Sequence, residues 1–330
     1  SDNAGWAVSS AGDVDGDGLD DLLIGAYNES TGGSSAGAAY LVFAASLQGT
    51  SEIDLSEADY KFIGVADSDT GTSVSGAGDV DGDGLDDILI GSYGDDTSGW
   101  NSGVVYVVLS SSLGSNQEIT LVDDADYILS GEASGDYAGS SVSSAGDVDG
   151  DGLDDILIGA PNETSGGSVA GATYLVLGSS LGSTASISLS DADYKLIGDS
   201  DYDYSGTSVS GAGDVDGDGL DDILVGAPGD TTAADYGAGS GGASAGAVFV
   251  ILGSSLGGTW EVDLGAADYK LVAVHESGRM GQSVASAGDV DGDGLDDILM
   301  GSYAVGTEEI YLVLGSSLGS TYEIHLSDAD

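Results

Sequence analysis

Three observations predict an all-β chain built as a β-propeller. The nonapeptide Asp79-Val80-Asp81-Gly82-Asp83-Gly84-Leu85-Asp86-Asp87 recurs unchanged from Asp13, Asp147, Asp214 and Asp289, with successive starts 66, 68, 67 and 75 residues apart. Within each period four short apolar runs are separated by Gly, Ser and Asp, with no helical pattern. The period is too long for a solenoid coil, and each unit is too small to bury a core alone. Residues 1–330 therefore read as one propeller with repeats 1–66, 67–134, 135–201, 202–276 and 277–330.

The first run of a unit is made of small residues, as in Thr72-Ser73-Val74-Ser75-Gly76-Ala77-Gly78, and suits the crowded central axis. The second, Leu85 to Ile90, and the third, Val104 to Leu109, are apolar on both faces, as middle strands between stacked sheets must be. The fourth alternates, as in Tyr60-Lys61-Phe62-Ile63 and Tyr194-Lys195-Leu196-Ile197. Its lysine reads as a guard on an edge strand. Small inside, aliphatic in the middle and Lys-marked outside is the order expected across a four-stranded antiparallel blade.

Each nonapeptide places carboxylates at positions 1, 3, 5 and 9, which would crowd like charges unless a hard divalent cation joined them. An EF-hand would need Glu at position 12, where Ile24, Ile90, Ile158, Val225 and Met300 stand, so the loop leads into a strand. Magnesium keeps its waters and is rarely caged by four carboxylates, which favours calcium.

These residues resemble the FG-GAP repeat of integrin alpha-chain propellers, over essentially the whole chain. The marks are the openings Gly139-Ser140-Ser141-Val142 and Gly206-Thr207-Ser208-Val209, the Asp loop, and the closes Gly159-Ala160-Pro161 and Gly226-Ala227-Pro228. The Phe of Phe-Gly is replaced, as in Thr70-Gly71 and Ala138-Gly139, and three units close on Tyr27, Tyr93 and Tyr303. Resemblance and spacing agree on Asp13, Asp15, Asp17 and Asp21 as side-chain ligands, with the Leu19 carbonyl and a tight bend at Gly18. The later copies supply Asp79, Asp81, Asp83, Leu85 and Asp87; Asp147, Asp149, Asp151, Leu153 and Asp155; Asp214, Asp216, Asp218, Leu220 and Asp222; and Asp289, Asp291, Asp293, Leu295 and Asp297. About five Ca2+ ions follow, one per repeat.

Propellers of that family have seven blades, and this chain has five units, the last stopping at Asp328-Ala329-Asp330 before a fourth strand. A closed five-bladed body with an incomplete last blade is the favoured reading. A segment of a longer array, or a strand donated by a neighbouring molecule, are the others.

Against 58 Asp and Glu stand only Lys61, Lys195, Lys270 and Arg279, giving a formal charge of −54. Nucleic acid and anionic membrane are poor partners for such a chain. The five loops hold 25 of the acids, and the excess fits solubility in salty water, a marine or halophilic bacterial or archaeal setting. No cysteine is present, no apolar run reaches a membrane span, and the opening Ser1-Asp2-Asn3-Ala4-Gly5 is not a signal peptide. Abundant calcium points to an extracellular or cell-surface location.

No catalytic constellation stands out, so the chain is not expected to be an enzyme. Gly33-Ser34-Ser35-Ala36-Gly37 and Gly242-Ala243-Ser244-Ala245-Gly246 match a nucleophile elbow by letters but precede strands, and His275 and His325 share no repeat position. Gly237 to Gly242 matches a dinucleotide fingerprint with no helix after it. Blade topology sets the Asp loops on one face, and the resemblance implies a protein or glycan ligand on the other. That face carries the loops Tyr27 to Gly37, Tyr93 to Gly103, Pro161 to Gly171, Pro228 to Gly246 and Tyr303 to Thr307, with Tyr202, Tyr204 and Asp235-Tyr236 as contact candidates. Adhesion or ligand binding is the expected function, with a surface-fibre unit, self-assembling through the incomplete fifth blade, as the alternative.

Overall fold

The computed structural model describes residues 2–47, 49, 52–182, 184–231, 245–272, 278–304, 307–319 and 321–326. Among them the chain is short β-strands joined by loops and single helical turns. It forms two compact units, one of Ser1–Ser144, Gly152–Ile158 and Val176–Ala192, the other of Ala145–Asp151, Gly159–Leu175 and Asp193–Asp330.

In the first unit, one sheet runs Val8–Gly12, Asp21–Ala26, Ala38–Val42 and Tyr60–Ile63, each neighbour antiparallel. The next repeats this with Ser73–Gly78, Asp87–Ser92, Val104–Val108 and Tyr127–Ser130. Leu23, Leu41 and Phe62 of the first sheet share a core with Ile88, Ile90, Tyr106 and Val108 of the second. The inner strands need small residues because they nearly touch: a Cβ on Gly76 would stand 2.9 Å from the Ala11 carbonyl oxygen.

The second unit holds a sheet of Ser208–Gly213, Asp222–Ala227, Ala247–Ile251 and Tyr269–Val272. Its fifth-repeat sheet has three strands, Ser283–Gly288, Asp297–Ala304 and Thr307–Val313, so the last blade is short of a strand among the described residues. Leu224, Val248 and Leu271 pack with Ile298, Met300 and Val313. Within the same unit Tyr194–Ile197 pairs in parallel with Glu261–Asp263. All-β propeller blades with four antiparallel strands are thus what the chain forms, and in the second and fourth repeats the second and third strands are buried on both faces as their composition requires.

One reading of the sequence is corrected. The fourth strand is not an edge, because in each of the first four repeats the following repeat lends a fifth, parallel strand: Glu118–Thr120 beside Tyr60–Ile63, Ser186–Ser188 beside Tyr127–Ser130, Glu261–Asp263 beside Tyr194–Ile197 and Glu323–His325 beside Tyr269–Val272. The lysines do not guard an edge either. Lys195 and Lys270 are only 2% and 3% exposed, and the buried ammonium is tolerable because a carboxylate meets it: Glu163 at 3.2 Å and Asp230 at 2.6 Å.

Candidate metal centres

The loops owe their shape to backbone amides pointing inward at their own carboxylates. A bulge at Gly78 turns the chain out of the inner strand, and Gly82 and Gly84 take φ of +77° and +92°, a region that side chains avoid. The Gly82 and Asp83 amides then donate to Asp79 Oδ1 at 2.8 and 3.0 Å, and the Gly84 amide to Oδ2 at 2.9 Å. Asp83 also donates to Asp81 Oδ1 at 3.1 Å, and Leu85 to Asp83 Oδ1 at 2.9 Å.

The same bonds recur in the loops from Asp214 and Asp289. In the loop from Asp147, Gly150 and Asp151 donate to Asp147, and Asp151 to Asp149. The first loop keeps the Gly18 bond to Asp13, with Asp17 donating to Asp15 and Leu19 to Asp17.

The structure brings together oxygens of Asp13, Asp15 and Asp17, of Asp79, Asp81 and Asp87, and of Asp214, Asp216 and Asp218, each set within 4.8 Å. These all-oxygen, all-anionic donor sets suit a hard divalent cation. Asp13 Oδ1 is buried without a hydrogen-bond partner among the described residues, the condition of an atom that a cation would complete. Burial, then the neighbouring carboxylates, holds Asp81, Asp149 and Asp216 above the usual Asp range even against an amide bond to each. The residues therefore fit a bound divalent ion, which would supply the charge that the cluster lacks.

Position nine does a second job. Asp21, Asp87, Asp155, Asp222 and Asp297 are all buried. One oxygen accepts the amide of position two, as from Val14, Val80, Val215 and Val290. The other accepts an amide just past the third strand, at Ala44, Ser110, Gly178, Gly253 and Gly315. Burial outweighs these bonds and pushes Asp87 and Asp222 up to about 7. The leucine amides at Leu19, Leu85, Leu220 and Leu295 serve position five.

Sequence reasoning missed position eight. Asp86 accepts the Asp13 amide at 2.7 Å, Asp154 that of Asp79 at 2.8 Å, Asp221 that of Asp147 at 2.9 Å, and Asp296 that of Asp214 at 3.0 Å. Each also donates its own amide back to the carbonyl of the same residue, so one loop clasps the preceding one. The carboxylate fills the space where a side chain at the preceding glycine would stand: a Cβ on Gly146 would lie 2.1 Å from Asp221 Oδ2. The signal was present as Gly before every loop and Asp-Asp at every loop end.

The other motifs gain little. Ser35 lies in a left-handed turn at φ +44° that runs into the strand Ala38–Val42, so no elbow forms. His325 meets Glu323 at 3.2 Å. His275, Asp235-Tyr236, Gly237 to Gly242 and most of the second serine pattern lie outside the described residues. On the face away from the loops, the second unit has a cleft of about 310 Å³ lined by Tyr204, Thr207, Pro228, Gly229, Arg279 and Gln282. Tyr204 and Arg279 hold left-handed φ of 55° and 46°, and both side chains are exposed.

The FG-GAP repeat model matches residues 4–42, 70–108, 138–176, 205–251 and 280–313, together more than half of the chain. The chain belongs to the FG-GAP repeat family. It is 34% identical over 203 residues to integrin alpha-5 of Xenopus laevis, covering 58% of this chain and 18% of that one. Against integrin alpha pat-2 of Caenorhabditis elegans the figures are 31% over 249 residues, 71% and 18%. Against integrin alpha-PS2 of Drosophila melanogaster they are 31% over 216 residues, 64% and 14%. The chain thus spans less than a fifth of the length of each of these relatives. Among the described residues no helix is long and apolar enough to cross a membrane.

Proposed function

We propose that residues 1–330 act as a single calcium-stabilised propeller at the cell surface or outside the cell, binding a protein or glycan ligand on the face away from the Asp loops. The carboxylate clustering of the repeated loops carries the calcium part of this reading. Four Asp side chains and the leucine carbonyl of each copy, Leu153 included, would hold one ion, about five in all. The integrin relatives support adhesion or ligand binding over catalysis. The charge of −54 argues against nucleic acid as the ligand and fits a saline setting.

The cleft at Tyr204, Arg279 and Gln282 supports a ligand site in the second unit, because it sets an aromatic ring and the only arginine of the chain on one concave surface. A glycan and extracellular-protein array probed with the calcium-loaded chain tests this. Binding that Tyr204→Ala or Arg279→Ala weakens at least tenfold is expected. A hit untouched by both variants moves the site elsewhere, and the absence of any hit argues against the ligand-binding reading.

A second reading, the repeat unit of a surface fibre, has its own observation. Val290 is 53% exposed, whereas Val14, Val80, Val148 and Val215 at the same loop position are buried, and Ile310 is 79% exposed. Light scattering with calcium present should show concentration-dependent assembly on this reading. A monomer at high concentration removes it.

A further inference from the structure

We propose that Asp199, Asp203 and Asp230 form an additional site for a hard divalent cation, separate from the repeated loops. Asp199 and Asp203 stand on the connection that follows the strand Tyr194–Ile197, and Asp230 follows the strand Asp222–Ala227. Folding brings one carboxylate oxygen from each within 4.8 Å of the other two. The Gly229 amide, donating to the Asp203 carbonyl at 2.9 Å, pins the two segments together independently of the side chains.

The Asp203 side chain is short of donors among the described residues. Asp203 and Asp230 are 0% exposed. Neither oxygen of Asp203 has a hydrogen-bond partner among the described residues, nor does Asp199 Oδ1. Among the described residues Lys270 is the cation that meets the cluster, and it is held at 2.6 Å by Asp230. Among the described residues three carboxylates, two of them fully buried and Asp199 half-buried, face one ammonium, an excess of negative charge that a divalent ion would neutralise. Oxygen-only donors select calcium, magnesium or manganese over the metals that prefer nitrogen or sulfur.

The connection between the first two repeats shows what the position does without such a site. Aligned on Gly71 and Gly206, Asp203 corresponds to Ser68, whose hydroxyl is satisfied by the Ala36 and Val65 carbonyls and by Thr70. A neutral, fully bonded serine stands there, with no charge to balance. In the second unit the same place holds an unbonded carboxylate flanked by two more. The ion would tie Tyr202 and Tyr204, the residues flanking Asp203, to Asp230 behind the cleft wall at Gly229.

The competing account is a proton. Burial, then the adjoining Asp199, pushes Asp203 up to about 8, so one proton shared by these two carboxyls would relieve part of the same charge. Crystals of the full chain soaked in Mn2+ separate the two by anomalous scattering, since each site gives its own peak. A peak among Asp199, Asp203 and Asp230 at roughly 2.1–2.6 Å from their oxygens is expected. Occupied Asp loops with nothing at this cluster would overturn the proposal in favour of the shared proton. Empty loops beside a filled cluster would refute the loop reading alone. In solution, metal counting by mass spectrometry should find one ion fewer in Asp203→Ser, a residue this fold accepts at Ser68. An unchanged count in a folded variant contradicts the site.

Discussion

The two ends of each blade are built under different constraints. On the loop end, one nonapeptide recurs without change, and amides of its own loop bond its carboxylates. At the other end, each of the first four repeats meets its carboxylate with a lysine or a tyrosine. Lys61 meets Glu29, Lys195 meets Glu163, Lys270 meets Asp230, and in the second repeat Tyr106 bonds Asp95. The difference teaches that the loop end holds the fold, whereas the opposite end can diverge and so acquire a ligand or an extra ion.

Substitutions can break that comparison, and the largest effect should come from the loop end. Asp222→Ala removes a buried carboxylate that accepts two amides, from Val215 and Gly253, and should cost about 3 kcal/mol or more in denaturant unfolding even without metal. Asp216→Ala, on the exposed rim of the same loop, should lower calcium affinity but change metal-free stability by less than about 1 kcal/mol. Equal losses for the two would deny position nine its bracing role.

Next come the lysines. Lys195→Met strands Glu163, which is buried, and should cost about 3 kcal/mol, while Lys61→Met, at a pair 19% and 12% exposed, should cost about 1 kcal/mol or less. Chemical denaturation of both variants checks the ratio. If the fourth strand were a guarded edge, both variants would instead aggregate without losing stability.

The clasp is smaller again. Asp221→Asn keeps the shape but weakens a charge-assisted bond to the Asp147 amide, an expected loss of about 1 kcal/mol. Gly146→Ala should cost more, about 2 kcal/mol, because the new methyl meets the Asp221 carboxylate at a φ of +74°. Thermal melts that find Gly146→Ala neutral would show that the clasp can open freely.

Proton linkage gives the mildest effect. Asp87 and Asp222 rise from 3.8 to about 7 in the metal-free fold, so the folded chain binds more protons than the unfolded one between those values. Metal-free stability should therefore be highest at low pH and fall as pH rises through 7. Calcium affinity should change the opposite way, weakening below pH 7 as protons compete. Melts in chelator between pH 5 and 8 should show the first slope, flattened in the double variant Asp87→Asn with Asp222→Asn. A slope unaltered by that variant assigns it to the general charge of −54 instead.

Much of this was legible in the chain. The recurrence from Asp13 to Asp289 showed the number of repeats, and the apolar runs placed the strands, because both signals are local. Hidden were the contacts between segments far apart in sequence. Nothing near Asp86 says that it reaches the Asp13 amide, 73 residues away. Glu118–Thr120 is three residues long, too short to show alternation, so the strand it adds beside Tyr60–Ile63 left no pattern and the fourth run looked like an edge. Lys195 alternates with apolar residues as a solvated lysine would, and only folding brings Glu163 beneath it. Asp199, Asp203 and Asp230 were lost among 58 acids for the same reason.

The central claim is that cations in the loops hold the blades, and the melting temperature with and without calcium tests it most directly. At roughly 100 times its dissociation constant each filled site adds about 2.7 kcal/mol, so five add on the order of 13 kcal/mol, comparable with the stability of a whole domain. Calcium should raise the melting temperature of the chelated chain by about 20 °C or more. A shift of only a few degrees, with the loops shown to be loaded, would contradict it.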